Sequence, residues 1–439
     1  MSEEFSGYHG KALAFIRKVG AEVGDQVRVV KKTGSYEGTL IPRSEYGDDA
    51  YIVVKMKNGY NIGIEITSDT VIEKLGKGTK PTFAAPPQPP CNSKLPKVTI
   101  LSTGGTIASR VDYRTGGVRP ALTAGDLYSV VPELAEIAQI NAQILCSIFS
   151  ENITVQQWGE IAKSVADLAC SGVDGVVIAH GTDTMGYTAA ALSFALQDLP
   201  FPVVLVGAQR SADRPSSDAA TNLIGAVSAA AKGHFAEVTI AMHETMSDES
   251  IVFHRGTKVR KCHTSRRDAF ESVNVTPIAR MKNGKLTMLT EEYRKRGDSE
   301  KVKLKPEFSD KVSLLKFYPG MNPDIIDWLT DRGAKGIVLE GTGLGHINKR
   351  SFDTVKRAIE KGIIVAMTSQ CIWGRVNMNV YDAGRDLLAQ GVIPLEDMLP
   401  ETAFVKLAWV LGQTKDVEKA KALLKTNIAG EIASRTLPE

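Results

Sequence analysis

Residues 174–185 read Asp174-Gly-Val-Val-Ile-Ala-His180-Gly-Thr182-Asp183-Thr-Met185. A short unbroken run of apolar and small residues, stopped abruptly by turn and polar residues, is the pattern of a strand buried on both faces that ends in a loop. The pattern recurs upstream, where Lys97-Val-Thr-Ile-Leu-Ser102 runs into Thr103-Gly104-Gly105-Thr106, and downstream in PVVLVG (202–207) and EVTIAM (237–242). Helix-periodic stretches at 156–170 and 185–197 lie between these runs. Apolar strands alternating with helices predict a parallel sheet covered on both faces, an α/β fold. A second series, KGIVLEG (335–341) and GIIVAMTS (362–369), follows the polar stretch 294–311. We therefore expect a large α/β domain over 97–300 that carries the site, and a smaller one over 301–439.

Upstream of residue 97 the pattern changes. Residues 76–96 are rich in Pro, Lys and small residues, with prolines at 86, 87, 89 and 90, which predicts a semi-rigid extended linker. Before it, QVRVV, TGSYEGTL, AYIVVKM and NGYNIGIEI are short β-prone runs, and Asn58-Gly59 is a strong hairpin signal. With one helix at about 9–20, residues 1–75 read as a small SH3-like β-barrel.

Bulk composition narrows the function classes. In 439 residues, 43% are hydrophobic and 23% charged, the balance of a globular chain with a sizeable core. A net charge of +3, and 12 Lys/Arg against 11 Asp/Glu over residues 1–80, give no basic footprint that would demand a nucleic-acid partner. Five scattered cysteines (Cys91, Cys146, Cys170, Cys262, Cys371) without CxxC spacing argue against a disulfide framework and a zinc site, and favour a reducing cytosol. MSEEFSGYHG has no signal-peptide pattern, and no run approaches the roughly 18 apolar residues of a membrane span. A cytoplasmic protein with no membrane partner is expected.

In doubly wound sheets, ligands bind outside the C-terminal ends of the strands. Two such ends carry hydroxyls. The segment Ser102-Thr-Gly-Gly-Thr106 can be a plain glycine turn, a phosphate loop or a catalytic turn, but the G-x-G-x-x-G and Walker patterns are absent. The segment His180-Gly-Thr182-Asp183-Thr can be a helix cap or a site. Together they place two threonines on two strand tips of one sheet, and a threonine nucleophile needs a base or a proton relay. Residues 254–267, HRGTKVRKCHTSRR, hold six Lys/Arg and no acid. This run can be a solvated basic loop or a phosphate patch. It can also hold a lysine whose pKa is pushed down by like charges and burial. Spacing does not choose between Lys258 and Lys261. His243, His254 and His263 lack metal-ligand spacing, and no G-x-S-x-G elbow appears, so neither a metal site nor a serine triad is expected.

TGGTIAS (103–109) and HGTDTM (180–185), supported by GAQR (207–210), YPG (318–320) and LEGTGLG (339–345), closely resemble the bacterial-type asparaginase family over roughly residues 97–430. The resemblance implies a cofactor-free amidohydrolase with a large and a small α/β domain. It implies Thr106 as nucleophile, with Thr182 and Asp183 as the second motif's pair. The family lysine, nine residues before a phenylalanine (here Phe270), falls on Lys261. It also implies Tyr113 as the loop tyrosine, and Gly105, Ser150 and Glu151 at the substrate. The N-terminal barrel and linker, with DYRTGGV (112–118), HTSRRDAF (263–270), and MTSQC and GRVNMNVY within 367–381, resemble the D subunits of archaeal tRNA-dependent amidotransferases. That likeness implies a homodimer of this chain within a heterotetramer. The second, E-type subunit would use ATP and Mg and would make most contacts to Glu-tRNA(Gln). A stand-alone asparaginase or glutaminase with an accessory domain is the competing expectation.

Overall fold

The computed structural model describes residues 7–32, 34–43, 48–56, 61–78, 92–105, 107, 109–111, 118–120, 127–128, 131–210 and 217–435. Near the N-terminus, strands Gln26–Lys31, Gly34–Leu40, Tyr51–Met56, Asn61–Glu65 and Val71–Gly76 form one antiparallel sheet. Gly34–Leu40 is the central strand, and Gln26–Lys31 lies between it and the edge strand Val71–Gly76. Alternation sends Val27, Val29, Ile52 and Val54 inward, where Ile64 and Ile72 from the two edges join them. Ala12 and Ile16 of helix Gly10–Arg17 close this core. The sheet wraps one core, while no ladder joins its two edges among the described residues. The predicted Asn58-Gly59 turn lies outside the described residues, although the strands it would join pair with Lys55 opposite Asn61.

The large sheet has eight strands. Five run parallel in the spatial order Gln139–Ile144, Lys97–Ser102, Gly175–Ala179, Val203–Val206, Val238–His243. Numbered along the chain this is 2-1-3-4-5, so the connections leaving the first and third strands diverge and open a crevice at their C-terminal ends. Val98 and Ile100 pack with Ala226, Val227 and Ala230 of helix Ala219–Lys232. Leu101 faces the opposite core, with Ile161 and Val165 of helix Val155–Cys170. That helix starts on a capping box, Thr154 with Gln157, which satisfies orphan amide donors.

Strands Ser250–Arg255, Ala279–Lys282 and Lys285–Met288 extend the sheet antiparallel. The stretch 254–267, for which a basic loop was one expectation, is partly strand: Arg255 ends one, and Val259–Lys261 pairs with Phe270–Ser272. Its alternating basic residues hide the signal, because their partners come from elsewhere in the chain.

Strands Val312–Lys316, Gly336–Gly341, Ile364–Ser369 and Ile393–Pro394 form the smaller, all-parallel sheet in chain order. Helix Met185–Ala195 serves two cores. Met185, Ala189 and Leu192 face the large sheet, while Ala190, Ala191 and Phe194 pack with Val338, Ala366 and Leu407 of the smaller lobe. Phe194 stacks on Trp409 of helix Pro400–Gln413 at 5.8 Å, and the Trp409 indole donates to the Lys305 carbonyl at 3.1 Å. Trp409→Ala should therefore lower stability by about 3–5 kcal/mol, read as a shift in the denaturation midpoint. A shift within experimental error would mean that this seam is not packed as described. Among the described residues no helix is long and apolar enough to cross a membrane.

Candidate active site

The crevice brings the two strand tips together. Thr103 N and Oγ1 both donate to the Ala179 carbonyl, at 3.0 and 3.1 Å, extending the ladder past the ends of the strands. Gly104 then turns with φ +115°, where a Cβ would lie 2.3 Å from the Ile148 carbonyl oxygen. Gly105, at φ +78°, abuts Gly181: a Cβ there would lie 2.7 Å from Gly181 N. Only glycine fits such backbone-on-backbone approaches in the left-handed region. Thr106 and Tyr113 lie outside the described residues; Gly105 and Ile107, which flank Thr106, are described, and Ile107 is buried in the core.

Ser150 reaches the same place from another segment. It is buried, its side chain lies against Gly181, and its carbonyl accepts from Thr184 Oγ1 at 2.7 Å. Glu151, next in sequence, is exposed.

Lys261 completes the cluster. Its Nζ donates to Thr182 Oγ1 at 2.9 Å and to Asp183 Oδ1 at 2.8 Å. Lys258, three residues earlier, is fully buried elsewhere, with Nζ 2.7 Å from Asp397 Oδ2 and 3.0 Å from the Asp397 carbonyl oxygen. Space thus distinguishes two lysines that spacing could not.

Of the two causes expected to push a lysine's pKa down, burial acts at Lys258, while the like charges of the run are met by acids. All six cations of 254–267 face acids from outside that run: Arg255 with Glu237, Lys258 with Asp397, Arg260 with Glu401, Lys261 with Asp183, Arg266 with Asp268, and Arg267 with Asp248. The run is therefore not an unopposed anion patch either. Among the described residues no three His, Cys, Asp or Glu side chains gather into a metal-holding group.

A residue not singled out in sequence supports the tip. His180 is buried, with Nδ1 2.7 Å from the Gly181 carbonyl and Nε2 2.9 Å from Thr188 Oγ1, which also accepts from the Trp158 indole at 3.2 Å. A carbonyl only accepts, so the proton sits on Nδ1 and the Thr188 hydroxyl donates to Nε2. Burial pushes the His180 pKa down to about 4, and buried His254 likewise to about 4. The only signal in sequence was a histidine ending a fully apolar strand.

These depressed values predict acid lability. Between about pH 6.5 and 4 the unfolded chain protonates both histidines while the folded chain does not. Stability should fall on acidification across that window, by ~1.4 kcal/mol per pH unit for each histidine. Denaturant titrations at pH 7 and 5 check this, and His254→Gln should flatten the slope. An unchanged slope in that variant would mean that His254 is protonated in the fold.

Comparison with known proteins places this geometry. Residues 97–294 match the family model "Asparaginase, N-terminal", and residues 311–424 match "Glutaminase/Asparaginase C-terminal domain". Residues 21–75 match "GatD N-terminal domain". A protein of Pyrococcus furiosus, named as the D subunit of glutamyl-tRNA(Gln) amidotransferase, is 54% identical over 432 residues, covering 97% of this chain and 98% of the relative. The chain belongs to this D-subunit family. A second member, from Methanopyrus kandleri, is 52% identical and covers 97% of this chain and 95% of its own length.

Solved structures extend the likeness to the asparaginase lobes of the family. The thermostable L-asparaginase of Thermococcus kodakarensis superposes with a TM-score of 0.70 at 34% identity, covering 77% of this chain and all of its own length. L-asparaginase I of Vibrio cholerae gives 0.67 at 29% identity, covering 77% of this chain and 99% of that one. The family thus combines an asparaginase body with the N-terminal sheet module, as expected from the sequence.

Proposed function

We propose that this chain is the ammonia-releasing subunit of a cytoplasmic tRNA-dependent amidotransferase, hydrolysing the side-chain amide of glutamine or asparagine through a threonine acyl-enzyme. The observation that carries the reading is the Lys261–Thr182–Asp183 cluster at the crevice, one backbone contact from the Gly104-Gly105 turn that leads into Thr106. Thr106 Oγ attacks the amide carbon, and its proton passes by Tyr113 or the lysine relay to the departing nitrogen. The C–N bond breaks, ammonia leaves, and an ester joins Thr106 to the acyl group. Backbone N–H groups around Gly105–Thr106 and Thr182 stabilise the oxyanion, an effect of about 3–4 kcal/mol per donor. Water then cleaves the ester while Thr182, Asp183 and Lys261 move its proton, returning one to Thr106. Ser150, with Glu151 beside it, lines the subsite for the α-carboxylate. These steps use only side chains, backbone and water.

The match of the whole chain, N-terminal module included, to proteins named as amidotransferase subunits favours coupling to a partner over a stand-alone hydrolase. We infer an E-type second subunit that uses ATP and Mg and carries Glu-tRNA(Gln), in a heterotetramer built on a dimer of this chain. Ammonia release should rise sharply when partner and Glu-tRNA(Gln) are added, whereas full activity without them would favour the stand-alone asparaginase. Acid quenching with glutamine should leave an ester on the peptide containing Thr106. An adduct on any other residue, or none at single turnover, would overturn the mechanism.

A further inference from the structure

Among the described residues the strand Val259–Lys261 pairs only with Phe270–Ser272, in a two-stranded sheet separate from the eight-stranded ladder. Its placement comes from the turn that joins it to Arg255, where Gly256 N donates to the Val238 carbonyl at 2.9 Å, and from side chains. Lys258 stands in the turn just before this strand, where its N donates to the Arg255 carbonyl at 3.0 Å, and Lys261 ends the strand; their side chains go to different lobes. Lys261 reaches Thr182 and Asp183 of the large lobe, while Lys258 reaches Asp397 of the smaller lobe.

The Lys258 end has no slack. Lys258 and Asp397 side chains are both fully buried, Asp397 Oδ1 accepts from Ala433 N at 2.9 Å, and Val273 N donates to the Lys258 carbonyl at 2.8 Å. Thr257 Oγ1 donates to the Ala429 carbonyl at 3.0 Å, and the Thr257 carbonyl accepts from Thr402 Oγ1 at 2.9 Å. The segment reached by Thr257 and Asp397 is itself fastened: the Ile428 and Ala429 amides donate to Glu431, which pairs with buried Lys406 at 2.5 Å. Buried ion pairs contribute little net stability compared with apolar side chains of the same shape, so the distinctive contribution here is geometric.

We propose that the Lys258–Asp397 pair and Thr257 are positioning groups that set the reach of Lys261 toward Thr182, making the smaller lobe and the C-terminal tail part of the proton relay. The proposal rests on the functional reading above. It makes Lys258 and Lys261 two ends of one strut spanning the lobes, with neither lobe alone holding Lys261 in place.

The test uses the full chain with L-glutamine as substrate. The double variant Lys258→Met/Asp397→Leu removes both buried charges together, so neither is left unpaired. Expected are a thermal midpoint near that of the parent, a fall in kcat of roughly tenfold or more, and KM within about twofold, since sub-ångström misplacement of a reacting group acts on the transition state. The same substitutions in a Lys261→Ala background, followed over hours by ammonia release, should bring no further loss, because the effect passes through Lys261. If the double variant does not fold, Thr257→Val, which deletes one anchoring hydroxyl, should still lower kcat severalfold with the same dependence on Lys261. Parental kcat in the folded variants, or an equal loss without Lys261, overturns the proposal. An acyl adduct on Thr106 in the parent separates this failure from failure of the functional reading.

Discussion

Replacing Lys261 by methionine should leave a folded chain that releases ammonia roughly 10³-fold more slowly, the scale of losing a positioned proton-transfer group. The fold should survive because the pair it breaks is with Asp183, whose side chain is 70% exposed, and such pairs contribute little. Methionine keeps the volume of the lysine stem along the strand. The neighbouring substitution should differ in its effect on the fold. Lys258→Met alone strands the Asp397 carboxylate in the interior, which should destabilise by about 3–5 kcal/mol. Ammonia assays and thermal midpoints on the two variants separate the roles. Turnover of Lys261→Met within tenfold of the parent would remove Lys261 from the relay.

Gly105→Ala should lower kcat about 10²-fold while the sheets stay intact. The new methyl would meet Gly181 N and the His180 carbonyl carbon at 2.7 and 2.8 Å, both backbone atoms that cannot rotate away. One strand tip must then move away from the other, and a misplacement of about 1 Å within a reacting constellation is enough to lose that much rate. Gly172 supplies the control. It shares the φ of +78° but has nothing within 4 Å of a Cβ, so Gly172→Ala should cost about 1–3 kcal/mol of stability and no activity. If both variants lost activity equally, backbone strain rather than the approach of the two tips would be the cause.

How much of this was legible in the sequence follows from where each signal is local. Strands such as Gly175–Ala179 are buried on both faces and read as apolar runs, and helix Val155–Cys170 carries its own capping box. The strand tips that build the crevice were therefore readable. The strands Ala279–Lys282 and Lys285–Met288 were not, because their exposed and basic residues mask the alternation. Lys258 and Lys261 could not be told apart by spacing because their acids, Asp397 and Asp183, lie 139 and 78 residues away. Resemblance to a family resolved what periodicity could not. The support of His180 by Thr188 and Trp158 is likewise a contact across elements, invisible until the helices are packed.

The helix Met185–Ala195, with one face in each core, also bears on how the molecule moves. Its two faces belong to continuous apolar packing from Val203 and Leu205 of the large sheet through Phe194 to Trp409, so the lobes cannot hinge apart without opening a dry interior. Jaw-like closure of one lobe on the other is thereby excluded as the way substrate is admitted. Heating should melt both lobes in one calorimetric peak rather than two.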